Sequence, residues 1–178
     1  MRATRRGVFV SGTMAACLLA ASPSFAESDS KTVRVSATIL PRLELSVQPE
    51  TGQDLIFSAV EQPAPGDERS QSVTVHLNVF SNLGRPYQVT QLVRHPLTSG
   101  DGQTIPDDQF QVSARGAGLG QVEADRPVPV LPGIDTPLYT SNERGKSDRF
   151  SADYILTVTP QTPAGEYDTE IVYTVTSL

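Results

Sequence analysis

Two histidines, a glycine run and scattered aspartates are the residues whose chemistry has to be weighed first. His76 sits on the face of a strand opposite Val75 and Leu77, and His95 stands before Pro96 at the start of a loop. Two separate histidines without cysteine partners make a poor metal site. Gly116-Ala117-Gly118-Leu119-Gly120 follows a strand-like segment, as a phosphate loop would. The residues after it contain Pro127 and Pro129, with no helix to receive a phosphate at its N-terminus. Asp101, Asp107, Asp108 and Asp125 fall in loops, but no spacing resembles a calcium-binding EF-hand loop. Serine, histidine and aspartate all occur, yet there is no Gly-x-Ser-x-Gly elbow and no carboxylate pair marked as acid and base. These residues read as surface and turn positions of a non-enzyme that carries no cofactor and no metal. Among the aromatics most fall on strands as core; Tyr139, in a proline-rich stretch, is the one placed for adhesion.

The elements that would position such residues begin after an export segment. Arg2, Arg5 and Arg6 precede an apolar run from Gly7 to Ala21, and Ser24-Phe25-Ala26 sets small residues three and one before a cut. This is the pattern of a secretory signal peptide, residues 1–26, removed after Ala26. Cys17 follows small residues as a lipidated cysteine does, but the apolar run continues past it through Leu18 and Leu19. No later stretch approaches the roughly 20 apolar residues of a membrane helix, so the mature chain is expected to be exported, soluble and not inserted in a membrane. The cut removes the single Cys and both Met, leaving no disulfide or thiol chemistry. The whole chain carries 20 acidic and 14 basic residues, a net charge of −6. Loss of three arginines makes the mature chain more acidic still, a surface that repels nucleic acid and anionic lipid.

Period-two alternation, which puts successive side chains on opposite faces of a strand, recurs through the rest. Thr32–Leu40 sets Val33, Val35, Ala37 and Ile39 against Thr32, Arg34, Ser36 and Thr38, and Pro41 ends it. Strands are expected at Leu43–Val47, Leu55–Val60 and Gln71–Phe80. Ser81-Asn82-Leu83-Gly84 reads as a turn, with Tyr87–Val93 returning as a hairpin partner. Shorter strands follow at Gln109–Ala114, Val128–Leu131 and Leu138–Ser141. Phe150, Ala152, Tyr154, Leu156 and Val158 share one face, Pro160–Gly165 turns, and Tyr167, Ile171, Tyr173 and Val175 share a face of a closing strand. Many short strands and no helical period predict one all-β domain, an immunoglobulin-like antiparallel β-sandwich. By alternation alone, residues 32–40 read rather as the first strand of that same sandwich.

Residues 32–45, Thr-Val-Arg-Val-Ser-Ala-Thr-Ile-Leu-Pro-Arg-Leu-Glu-Leu, resemble the mature N-terminus of class 5 (alpha, colonisation-factor type) fimbrial pilins. Pro160-Gln161-Thr162-Pro163-Ala164-Gly165-Glu166-Tyr167 and the strand after it are similar to that family's last hairpin. The resemblance covers both ends of the mature chain and implies a pilin-type sandwich with an N-terminal donor strand. It divides the mature chain into an extension at 27–41 and a body at 42–178. Val33, Val35, Ala37 and Ile39 would then enter a groove in the next subunit, and Ile171, Tyr173 and Val175 would frame the groove that receives them. The implied partners are identical or related pilin subunits, a periplasmic chaperone and an outer-membrane usher. A host glycan or surface receptor is a further possible partner, and the implied destination, after transit through the periplasm, is the fimbrium at the cell surface. The reading from another class is a monomeric secreted sandwich binding a ligand such as a glycan through the loops between Arg94 and Arg149.

Overall fold

In the computed structural model, residues 31–178 are described; the signal segment, its cut after Ala26 and the lead at 27–30 lie outside them. From Leu43 onward strands follow in quick succession. They are β1 Leu43–Pro49, β2 Arg69–Ser81, β3 Tyr87–Val93, β4 Thr98–Ser99, β5 Phe110–Arg115, β6 Gln121–Val122, β7 Val128–Pro129, β8 Thr136–Thr140, β9 Asp148–Val158, β10 Tyr167–Asp168 and β11 Ile171–Ser177. A 3-10 turn at Asp107–Gln109 precedes β5.

The strands form two main antiparallel sheets. One runs β1-β2-β9-β5-β7 and the other β11-β3-β8-β6, while β10 and β4 make a separate two-stranded ribbon. The longest ladder joins β2 to β9, from Arg69 opposite Val158 to Val79 opposite Asp148. Alternation explains why these two strands become the spine. Val75, Leu77 and Val79 of β2 and Phe150, Ala152 and Tyr154 of β9 point one way and are buried, whereas His76 and Ser151 point to solvent. They meet Tyr87, Val89 and Val93 of β3 and Leu138 and Tyr139 of β8 in one shared core. Tyr139 stacks on Phe150 across the two sheets, ring centroids 4.8 Å apart and planes 11° from parallel. The all-β, antiparallel expectation therefore holds, and the two sheets are joined through their inner faces as a sandwich.

Several local expectations are corrected. Leu55–Val60 is not a strand; Leu55, Phe57 and Val60 pack sideways against the core without a backbone ladder. β3 is not the hairpin partner of β2, because β1 and β9 already occupy both edges of β2. The chain instead crosses at Ser81–Pro86 to the opposite sheet, through Gly84 with φ +70°. The closing segment is not one strand. Tyr167 and Asp168 pair with β4, and only from Ile171 does the chain pair with β3. β9 and β11 lie in different sheets, so Pro160–Gly165 is a crossover and not a hairpin turn. Val128–Leu131 shrinks to two residues, since Pro129 and Pro132 lack the N–H a ladder needs. Pro137 in β8 coincides with a slip of register between Val89 and Thr90 of β3.

Leu77 is fully buried at the centre of the spine. Its truncation removes apolar burial and leaves a void, so Leu77→Ala should lower unfolding free energy by about 2–5 kcal/mol, read in urea as a lower midpoint at unchanged slope.

Candidate functional site

Among the described residues, β1 pairs only with β2, and β11 pairs only with β3. Each is an outer strand of its sheet, so each keeps one row of backbone N–H and C=O groups without a neighbouring strand among the described residues. Between these margins lies a groove of about 1170 Å³. Val47 and Pro49 of β1 form one side, and Ile171, Val172 and Tyr173 of β11 form the other. Val75, Ile105, Phe110, Leu156 and Val158 make the floor. The floor residues are buried, but Val47 is 37% exposed although it stands on the inward face of its strand. Where a third layer of side chains would complete the sandwich, the groove is open.

The stretch at 54–60, outside any strand, and the segment at 162–170, which carries β10, also line the groove. Neither was visible as a groove wall in the sequence. Leu55, Phe57 and Val60 carried an alternating signal, but the same signal is produced by a strand in a sheet and by a segment leaning on a core.

Beneath the β11 side lies a chain of buried hydroxyls. The Tyr173 hydroxyl donates to that of Tyr154 at 2.8 Å, and Tyr154 donates to Oε1 of Gln91. Gln91 is 1% exposed, and its Nε2 has no partner among the described residues. Burial raises the Tyr173 phenol to about 12 even though the Tyr154 hydroxyl pulls it down, so the chain stays protonated at any ordinary pH.

The residues singled out from sequence are placed as follows. Ile171 and Tyr173 line the groove, while Val175, opposite Val89, packs against the core beyond it. Val33, Val35 and Ile39 stand 81%, 88% and 84% exposed, and Ala37 is exposed beside them. Residues 31–40 form no strand. At the point where β1 begins, Asn82 accepts from the Arg42 N–H at 2.6 Å and donates to the Leu40 carbonyl at 2.9 Å. Tyr139, singled out for adhesion, is instead fully buried in β8 and presents no platform for a sugar. His76 meets Ser151 at 3.0 Å on the outer face, and His95 turns onto the Pro96 carbonyl. Among the described residues, no three His, Cys, Asp or Glu side chains come together as metal ligands.

The glycine run does cradle an anion, and the anion is the protein's own. The backbone N–H groups of Gly118, Leu119 and Gly120 donate to the Asp148 carboxylate at 3.2, 2.7 and 3.0 Å. The Tyr139 hydroxyl donates at 2.7 Å and the Arg149 N–H at 2.8 Å. A Cβ at Gly120 would strike the Tyr139 hydroxyl and the Thr140 carbonyl, which is why glycine stands there. Partial burial pushes Asp148 up, but these donors outweigh it and hold the carboxyl below its ordinary value of 3.8. Asp153 behaves alike: burial raises it, and Arg115 and Thr74 together bring it lower.

A carboxylate whose pKa is depressed by folding adds stability above its unfolded pKa and loses it as pH falls through the folded value. Melting temperature should therefore drop as pH falls below about 4. Asp148→Asn should be less stable at pH 7 by about 1–3 kcal/mol, because the nest loses its charged acceptor. It should also show a shallower loss in acid when melts are followed from pH 7 to pH 2.

No family model matches the chain, and no curated protein matches it. Among solved structures it is similar to a family 123 glycoside hydrolase from Clostridium perfringens, whose structural analysis concerned glycolipid glycan hydrolysis. The two are 15% identical, the match covers 76% of this chain and 25% of the other, and the TM-score is 0.42. The chain thus spans a quarter of that protein, and a likeness so slight transfers neither fold nor activity.

Proposed function

We propose that this protein is a structural subunit of a surface fimbria that polymerises by donor-strand exchange, residues 32–40 of one copy filling the groove of the next. The observation that carries the reading is the open groove between the free margins of β1 and β11, over a floor of buried apolar side chains. A second feature supports it: the same chain bears, upstream of β1, an exposed alternating segment with no strand partner of its own.

The fit follows from strand addition. An inserted strand gains ladder bonds along an open margin and sinks alternate side chains into the groove. Val33, Val35 and Ile39 would each contribute about 1.5–3 kcal/mol by leaving water, and each ladder bond about 0.5–1.5 kcal/mol net. Ala37 takes a shallow position in the row, and Pro41 stops the ladder before the subunit's own β1. Such a joint is long-lived without a covalent bond. An unfilled groove is an aggregation hazard, so a periplasmic chaperone would cover it before an outer-membrane usher assembles the fibre. Residues 171–173 serve as the receiving margin, and no catalysis is involved.

The test compares the exported chain with a Val35→Asp, Ile39→Asp double variant by light scattering, and melts a variant lacking residues 27–40 with and without a peptide of residues 31–41. The reading expects assembly by the parent chain, loss of assembly by the double variant, and a large rise in melting temperature of the truncated chain on adding peptide. A parent chain that stays a stable monomer and a truncated chain indifferent to the peptide would overturn it and turn attention to the loops between Arg94 and Arg149.

A further inference from the structure

β1 is entered through Leu40, Pro41 and Arg42, and one side chain holds that entry. Asn82, in the crossing between the sheets, accepts the Arg42 N–H on Oδ1 at 2.6 Å and donates from Nδ2 to the Leu40 carbonyl at 2.9 Å. Its own backbone N–H donates to the Arg42 carbonyl at 3.2 Å. In extended backbone a carbonyl and the N–H two residues on stand side by side along one edge, as in a ladder. Asn82 therefore adds a rung beyond the first pair of β1 and β2, Leu43 opposite Ser81, and keeps residues 40–42 in line with β1.

The sequence also permits a reversal there. With Leu40, Pro41 and Arg42 as a three-residue hairpin loop, residues 32–39 would run back antiparallel along the free row of β1. That register sets Ile39 opposite Leu43, Val35 opposite Val47 and Val33 opposite Pro49, and directly opposed residues share a face. Val47 and Pro49 line the groove, so the apolar row of the extension matches the groove of its own chain. A tethered strand reaches such a groove without meeting another molecule. Reversing the chain at 40–42 breaks the two-point hold of the Asn82 side chain.

We infer that Asn82 is a positioning residue that opposes closure of the extension onto its own chain and so favours the groove of a second copy. This rests on the strand-exchange reading and adds to it what keeps a subunit from filling itself. Both side-chain bonds are exposed to solvent, and losing two such bonds corresponds to about tenfold in population. Asn82 therefore biases which groove is filled, while the apolar row governs how long either joint lasts.

The experiment uses the full exported chain carrying Ser36→Cys and Ser46→Cys, two exposed positions that the hairpin register sets opposite one another on the outward face. The mature chain expected from the sequence has no cysteine of its own. After refolding and oxidation, a disulfide within one chain reads self-closure, and light scattering reads assembly. Asn82→Ala should raise the intrachain product about tenfold and slow assembly by a similar factor. Asn82→Asp, which keeps the acceptor for the Arg42 N–H and loses the donor for the Leu40 carbonyl, should fall between it and the parent. A self-closed Asn82→Ala chain should melt no lower than the parent and should refuse an added peptide of residues 31–41. If intrachain product and assembly are equal in all three chains, the role of Asn82 is overturned and strand exchange stands. A lower melting temperature without intrachain product means that Asn82 only supports the fold, and overturns it as well. If no chain assembles and none gains an intrachain bond, the strand-exchange reading fails with it.

Discussion

Every strand in a sheet must dispose of two rows of backbone hydrogen-bonding groups, and here two of the outer rows of the two main sheets, those on β1 and β11, border the same apolar opening. The rest of the molecule is arranged around that condition. The β2 and β9 ladder fixes the first sheet, the crossing at Gly84 carries the chain to the second, and the split between β10 and β11 sends the closing strand to β3 and leaves its other side open. Had β11 paired with β9 as a plain hairpin, both strands would lie in one sheet and no groove would separate the margins. The opening is thus a product of topology, and its apolar floor is the inner face of β2, β5 and β9 seen from the side.

An open groove demands that the surrounding body be rigid without help from a closing strand, and the polar contacts show how. Cross-sheet aromatic stacking of Tyr139 on Phe150 ties the sheets at the end remote from the groove. At that same end, five donors converge on Asp148 and pin the glycine loop to β9. On the groove side, hydroxyls of Tyr173 and Tyr154 link β11 to β9 through the core. One clamp lies away from the groove and the other beside it, under Tyr173.

The chemistry suggested by residue types alone resolves into structural work. The glycine run has the backbone character of an anion cradle, as its composition indicated, but its occupant is an internal carboxylate thirty residues downstream that no local motif links to it. His76 and the loop aspartates remain separate surface groups. The geometry that stands out is an apolar groove between two free margins.

Alternation by itself determined the strands and their inward faces, because a period of two decides which side chains are shielded whatever the neighbour turns out to be. β3 begins and ends at the expected residues, and β2, β5 and β9 differ only at their tips. The same local rule is blind to pairing. It could not tell that Leu55–Val60 would lean on the core without a ladder, that β2 and β3 would part to different sheets, or that the closing strand would break before Ile171. Those outcomes depend on which strand edges are already taken, a competition among segments far apart in the chain. Likewise Ile171 and Tyr173 were legible as inward residues of a late strand, but that they face an opening, with Val175 beyond it, was decided only when β1 and β11 came to the same side of the sandwich. Local sequence sets the direction of side chains. The tertiary structure alone decides which edges remain free.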